Sequence, residues 1–436
     1  MSFLFDLCYL LALIVLSPWV IYNGWSTGKN RRGLGTKFFG LTKSFTLSDG
    51  HPVAWFHGVS VGEVHLLRPV IALFRERHRD WHCVLSTTTQ TGFEEACKCF
   101  PSLPVFYWPF DFSWAVRRAL RQINPALVIL AEGELWPNFL MAAKAQGVRV
   151  AVINGRLSPR SFRRYVRVRW LAGYLLRHVD LFAVQTEDYA RCFRTLGVPS
   201  ERVQVTGSVK YDGLAMDRRN PRTQELRRLF RVEDEDLIWI VGSTQAPEET
   251  VALQIFTRLK AKYANLRLFL VPRQRERFDE VAALLQRFGQ RFVRRSKLEA
   301  PLTDRSAVLL LDTIGELGAL WGLADVAFVG GSLEGRRGGQ NMMEPAAYGA
   351  AVVFGPHVWN FRDTATRLVE AGAAMQISDA QELESVVERV LGNSEERQRL
   401  GSRARELVRS QQGATERTMA GLDGLLRAGH RPGKVA

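Results

Sequence analysis

Twice along this chain, short runs of β-branched and apolar residues alternate with stretches of helical periodicity, and a segment with neither property separates the two series. Parallel strands buried on both faces read as continuous apolar runs joined by amphipathic crossover helices. The pattern therefore confines the chain to an α/β architecture with two doubly wound sheets. The first series predicts strands at Val53 to His57, Cys83 to Thr87, Val105 to Trp108, Leu127 to Leu130, Val150 to Asn154, Leu181 to Val184 and Val203 to Thr206. Helical stretches such as Val64 to Arg75 and Trp136 to Gln146 lie between them. The second series predicts strands at Leu237 to Val241, Leu266 to Val271, Val308 to Leu311, Val326 to Val329, Ala351 to Phe354 and Ala374 to Ile377. Between the series, KYDGLAMDRRNPR (residues 210–222) loses periodicity and gains turn and charge residues, as a linker does. The expected organisation is two Rossmann-like domains, 35–209 and 223–405, facing a cleft, with helices at 406–430 packing back toward the first domain.

A chain of 436 residues has room for two such domains. With 46% apolar and 24% charged residues it is neither a disordered nor a polytopic membrane protein. Its net charge of +15 calls for an anionic partner. No helix-turn-helix, zinc-finger or base-stacking pattern accompanies that charge, so nucleic acid is not expected and a phosphorylated substrate or an anionic membrane surface is. The five cysteines are scattered, as in a reducing compartment, and no metal-ligand spacing stands out, so neither metal nor cofactor is expected. Near the start, Leu7 to Tyr22 is an almost unbroken apolar run, preceded by Asp6 and followed by Lys29, Arg31 and Arg32. Residues 1–28 therefore read as an uncleaved membrane-anchor helix, and the trailing positive charge places the remainder in the cytoplasm.

In doubly wound sheets, ligands gather at the carboxyl ends of the strands. After the first strand comes HGVSVGE, in which Ser60 and Gly62 precede Glu63 in the first turn of a helix. A lone acid there would simply complement the helix dipole. This one is accompanied by Thr89 in STTTQTG, by Glu132 and Glu134 in AEGELWPN, and by Asp111 after YWPF. Such a cluster can poise one carboxylate as a general base. In the second series, Ser243 and Thr244 end a strand before a helix, and Gly331 lies in the glycine-rich GGSLEGRRGGQNMMEP of Gly330 to Pro345. Turns of this kind suit phosphate, although neither is a Walker A loop or a dinucleotide fingerprint. Arg273, Arg275 and Arg277 follow another strand, and Glu344 is an acid suited to a ribose hydroxyl pair. Arg156, Arg160, Arg163, Arg164, Arg167 and Arg169 form a basic run with Phe162, Tyr165 and Trp170 interspersed, suited to acidic headgroups or to acceptor phosphates.

Taken in order, HGVSVGE, AEGELWPN, NGRLSPRSFRRY, VQTEDYARCFRTLGV, VTGSVKYD, VGSTQAPEE, VPRQRER, IGELG, GGQNMMEP and GPHVWNFRD resemble the transferases of 3-deoxy-D-manno-octulosonic acid (Kdo) in lipopolysaccharide synthesis. The resemblance implies the GT-B fold, the cytoplasmic face of the inner membrane, CMP-Kdo as donor substrate, lipid IVA as acceptor and an inverting transfer. It implies Glu63 as the general base. It places the donor at Pro272 and Arg273, at Ile314, Gly315 and Glu316, and at Asn341, Met342, Met343 and Glu344. Ser60, Gly62, Thr89, Glu132, Glu134, Arg156 and Lys210 are the expected acceptor-side or cleft residues. The chain departs from the family pattern where Gln245, Gln274 and Gln340 replace histidines and Ser208 replaces an asparagine, which suggests a retuned donor site. The alternatives are a GT-B transferase using another nucleotide sugar, and a catalytically silent membrane scaffold.

Overall fold

The computed structural model describes residues 3, 5–11, 14–15, 33–40, 50–133 and 135–428. It divides into two compact units, Met1–Asp212 with Gln412–Ala436, and Gly213–Gln411. The first unit holds a seven-stranded sheet of β1 Val53–His57, β2 His82–Thr87, β3 Val105–Tyr107, β4 Leu127–Ala131, β5 Arg149–Gly155, β6 Leu181–Val184 and β7 Val203–Val205. Its order is β3-β2-β1-β4-β5-β6-β7, and every pairing is parallel. The central strands β1 and β4 are buried along their whole length, as expected of strands covered on both faces. Trp55, Phe106, Trp108 and Phe139 fill one face. Phe56, Leu67, Ile71 and Phe74 fill the other.

The second unit repeats the plan with β8 Leu237–Thr244, β9 Leu266–Pro272, β10 Phe292–Arg294, β11 Val308–Leu310, β12 Val326–Val329, β13 Ala351–Phe354 and β14 Ala374–Gln376. The order is β10-β11-β9-β8-β12-β13-β14, again parallel throughout. β10 was not foreseen from the sequence. The unit runs on through the helix Ser394–Gln411, and the helix Ala414–Ala428 belongs to the first unit. There Arg149 donates to the carbonyls of Leu425 and Leu426, and Asp423 pairs with His78 at 2.8 Å. Part of the expected linker is ordered, because Val209–Tyr211 is a single 3₁₀ turn and the helix Pro221–Leu229 begins inside it.

Two helix starts in the first unit are capped from far along the chain. The helix Ser113–Ile123 begins at Phe112 and the helix Pro137–Ala145 at Trp136, residues with no side-chain oxygen to offer. Asp6 instead accepts from the Ser113 N–H and hydroxyl, and Asp111 accepts from the N–H groups of Asn138 and Phe139. Residues 5–11 are helical, and Tyr9 donates to Asp111. Most of the predicted anchor lies outside the described residues. Among the described residues no helix is long and apolar enough to cross a membrane.

Candidate active site

Each sheet reverses its strand order once, and the carboxyl ends of the two strands at the reversal flank the natural ligand crevice of such a sheet. In the first unit those strands are β1 and β4. The chain leaves β1 through Gly58 and Val59, and Ser60 is the N-cap of the helix Val61–Arg77 that carries Glu63 in its first turn. A β-carbon at Gly58 would come within 3.1 Å of the Glu63 Cβ and crowd that turn. Glu63 Oε2 accepts the Val59 N–H at 2.8 Å and Oε1 accepts the Ser60 hydroxyl at 3.1 Å. This is a variant of the capping box, with the carboxylate reaching one residue further back than usual. Thr89 secures the same turn from β2, its hydroxyl donating to the Val59 carbonyl at 3.0 Å. Glu63 is only part-buried, so its carboxylate is oriented by two donors and keeps access to solvent.

The other protonatable group at the end of β1 is His57. Burial pushes its imidazole down to about 3. It stacks on Trp108 with ring centroids 4.0 Å apart, and Nδ1 faces the Ser86 hydroxyl at 2.9 Å. A neutral, wholly enclosed ring is core, which leaves Glu63 as the accessible base at this strand end.

At the end of β4, Glu132 adopts a left-handed backbone (φ 60°) and is followed by Gly133 at φ 112°. Asn154 near the end of β5 is also left-handed, at φ 52°. A non-glycine residue in that region costs roughly 1–3 kcal/mol and persists where its surroundings fix it. The surroundings here are charged: Glu132 accepts Lys210 at 2.6 Å, Arg156 at 2.7 Å and the Asn154 amide at 3.3 Å. Thus Glu132, Arg156 and Lys210, drawn from three segments, form one cationic cluster around a carboxylate. Glu134 lies outside the described residues.

In the second unit the reversal falls between β8 and β12. Around it an open cavity of about 520 Å³ is lined by Gln245, Arg273, Gln274, Arg275, Glu276, Arg337, Gln340 and Asn360. Among the described residues none of the three arginines forms a salt bridge, although the charge of Arg273 also acts on the buried Glu344 carboxyl; guanidinium groups so placed can meet an anion. The three glutamines that stand where histidines were expected therefore share one cavity.

The remaining predicted donor residues are placed as follows. Ser243 is left-handed at φ 56°, and Thr244 is buried with its hydroxyl bonded to Glu249 at 2.6 Å. Pro272 ends β9, and the Arg273 N–H donates to the Thr244 carbonyl at 3.1 Å. Ile314 is 73% exposed beside Gly315 (φ 91°), whereas the Glu316 carboxylate is held by Arg222 at 2.7 Å and Arg295 at 2.9 Å. Met342 and Met343 are core side chains, so only their backbone can face a ligand. Asn341 donates to Glu344 at 2.9 Å, and burial raises the Glu344 carboxyl above its ordinary range. Gly331 carries an N–H already taken by Glu248 at 2.8 Å, so this glycine-rich turn does not present the open phosphate cradle expected of it.

A family model described as 3-deoxy-D-manno-octulosonic-acid transferase (kdotransferase) matches residues 31–213. The 3-deoxy-D-manno-octulosonic acid transferase of Chlamydophila psittaci is 35% identical over 398 residues, covering 91% of this chain and 90% of that protein. The enzyme of the same description from Haemophilus influenzae is 35% identical over 84% of this chain and 85% of its own length. The chain belongs to the Kdo transferase family. It is a glycosyltransferase of the two-domain GT-B type. The fold is shared at 15% identity with a UDP-GlcNAc 2-epimerase from Neisseria meningitidis, at a TM-score of 0.58 over 85% of this chain and 98% of that one.

In this Kdo transferase, sequence reasoning passed over Arg337, Glu248 and Glu249. The GRRGG stretch gives Arg337 away only by its position after β12, and an acid pair at a helix start reads as dipole compensation. The basic run forms the helix Pro159–Arg167, which has no buried residue, and Trp170 just beyond it is 76% exposed. Elsewhere on the transferase, His65, Glu95 and Cys99 bring their ligand atoms within 4.8 Å of one another, already joined by a His65–Glu95 contact of 3.2 Å.

Proposed function

We propose that this transferase moves Kdo from CMP-Kdo to lipid IVA with inversion, with Glu63 as the base. The observation that carries the reading is the Glu63 carboxylate, held by Val59 and Ser60 at the carboxyl end of β1 on a residue that is only part-buried. A hydroxyl of the acceptor gives its proton to Glu63 as its oxygen attacks the anomeric carbon of Kdo. The carbon–oxygen bond to the CMP phosphate breaks on the opposite face, and the electron pair leaves with CMP. Such a displacement needs one base and a cationic cradle for the departing phosphate, and no protein nucleophile. Arg273, Arg275 and Arg337 supply that cradle in the second unit. The Glu132, Arg156 and Lys210 cluster in the first unit suits the phosphates of a lipid A precursor through its two cations.

The acceptor is a lipid, and the exposed arginines of Pro159–Arg167 with Trp170 suit an anionic membrane at its cytoplasmic face. Each basic group near such a surface contributes about 1 kcal/mol. Charge reversal at Arg160, Arg163 and Arg164 should release the protein from vesicles containing anionic lipid, and unchanged binding would remove the helix from the membrane interface. The donor is tested by mass spectrometry of the product formed from CMP-Kdo and lipid IVA, with CMP and UDP as competing inhibitors. A product heavier by one or more Kdo residues and inhibition by CMP are expected. Inhibition by UDP alone would assign the donor to another nucleotide sugar.

A further inference from the structure

We propose that Glu248 is an internal anion that fills the backbone anion site of the donor domain, and that with Glu249 it positions the arginines which hold the donor's phosphate instead. The inference rests on the donor reading above. Consecutive N–H groups in a glycine-rich turn after a strand make a concavity that attracts anions. In this chain the N–H groups of Gly331, Ser332 and Leu333 converge on the Glu248 carboxylate at 2.8, 3.0 and 3.0 Å. Gln245 adds a fourth N–H at 2.8 Å. The Glu248 side chain is 2% exposed, so the protein supplies the anion and leaves a ligand phosphate no room in the turn. Gly330 fits the arrangement, since a β-carbon there would lie 2.6 Å from Glu248 Oε2.

The neighbouring carboxylate completes the tie. Glu249, also buried, accepts the Thr244 hydroxyl at 2.6 Å and both terminal nitrogens of Arg277 at 2.6 and 3.1 Å. Two adjacent acids therefore join the segment after β8, the segment after β9 and the segment after β12. These are the segments that carry Gln245, then Arg273 and Arg275, then Arg337 and Gln340 into the cavity. Neither carboxylate lines that cavity. Their effect on the donor passes through the arginines, which makes them positioning residues.

The test is calorimetric titration of the full-length protein with CMP and with UDP, on wild type, Glu248→Ala, Glu248→Gln and Leu253→Ala. Leu253 is a core side chain of the same helix, and its truncation controls for lost stability alone. CMP affinity should fall about tenfold or more in both Glu248 variants and stay within about twofold in Leu253→Ala. Formate, a small carboxylate, should restore part of the affinity of Glu248→Ala and none elsewhere. Glu248 variants that bind CMP as wild type does, or a Leu253→Ala loss of equal size, would overturn the proposal. If neither Glu248 variant folds, Glu249→Gln gives the same readout, because it loosens the Arg277 segment. Wild type that binds UDP and not CMP refutes the donor reading alone, and the variants are then read with UDP. Binding of neither nucleotide overturns both.

Discussion

The two units solve the same topological problem and treat the acids at their strand ends differently. At the strand reversal of the first unit, Glu63 is part-buried and oriented by two donors. At the reversal of the second, Glu248 and Glu249 are enclosed and fully engaged, and Arg273, Arg275 and Arg337 line the open cavity with Glu276. On the proposed function, Glu63 of the first unit takes a proton and the arginines of the second hold the donor's phosphate. A shared sheet order thus says where ligands gather, and the proposed function would give each unit one half of the displacement.

Apart from loss of Glu63, the largest effect expected is on the cationic side. Arg273→Ala combined with Arg337→Ala removes two guanidinium groups from the cavity lining. Charge-assisted hydrogen bonds are worth roughly 1.5–3 kcal/mol each, so donor kcat/KM should fall by about two orders of magnitude or more in initial-rate assays. A change under about fivefold would detach the cavity from the donor.

A smaller loss is expected in the first unit. Glu132→Gln leaves Arg156 and Lys210 without their shared carboxylate. Turnover should drop by roughly tenfold to a hundredfold with the melting temperature lowered by only a few degrees, because glutamine keeps the side-chain shape and only the charge is lost. Unchanged turnover would make the cluster structural and would weaken the contrast between the units.

A pH effect of a few degrees is expected from Asp111. Burial raises its carboxyl to about 6, against two backbone N–H groups and Tyr9 that hold it down. Its proton is bound more tightly in the folded chain than in the unfolded one. The associated stability is therefore complete below the ordinary value of 3.8 and lost as pH rises through about 6. Between pH 5 and 7 the melting temperature of wild type should fall more steeply than that of Asp111→Asn. Parallel curves would contradict the assignment.

The smallest effect is expected from Gln340→His. A histidine among three guanidinium groups is held neutral by their charge, so donor KM should change less than about threefold between pH 6 and 8. A steep improvement on acidification would show that the glutamines had removed a working charge from the cavity.

Most of the fold was legible in the sequence because parallel strands such as β1 (VAWFH) and β12 (VAFV) are uniformly apolar and strand ends are marked by glycine. β10 was missed because Phe292–Arg294 lies in an arginine-rich stretch, has no fully buried residue and borrows its order from β11. Glu63 and the arginine segments could be picked out as candidates because they follow predicted strands directly. The resemblance singled them out from other polar residues. Long-range satisfaction was not legible. Asp6 caps a helix 107 residues away, and Glu248 closes a turn more than 80 residues downstream, where local reading sees a helix-start acid and an empty glycine loop. The Glu316 carboxylate, expected at the donor, is likewise engaged by Arg222 and Arg295, partners that spacing does not reveal.

The central claim is that a carboxylate at position 63 removes the acceptor proton. It is tested most directly by Glu63→Gln, assayed for Kdo transfer to lipid IVA beside a CMP titration of the same sample. Glutamine keeps the side-chain shape and an oxygen for Val59 but cannot take the proton. Turnover lower by about a thousandfold or more, with CMP affinity unchanged, is the predicted result. Turnover within about tenfold of wild type would place the base elsewhere.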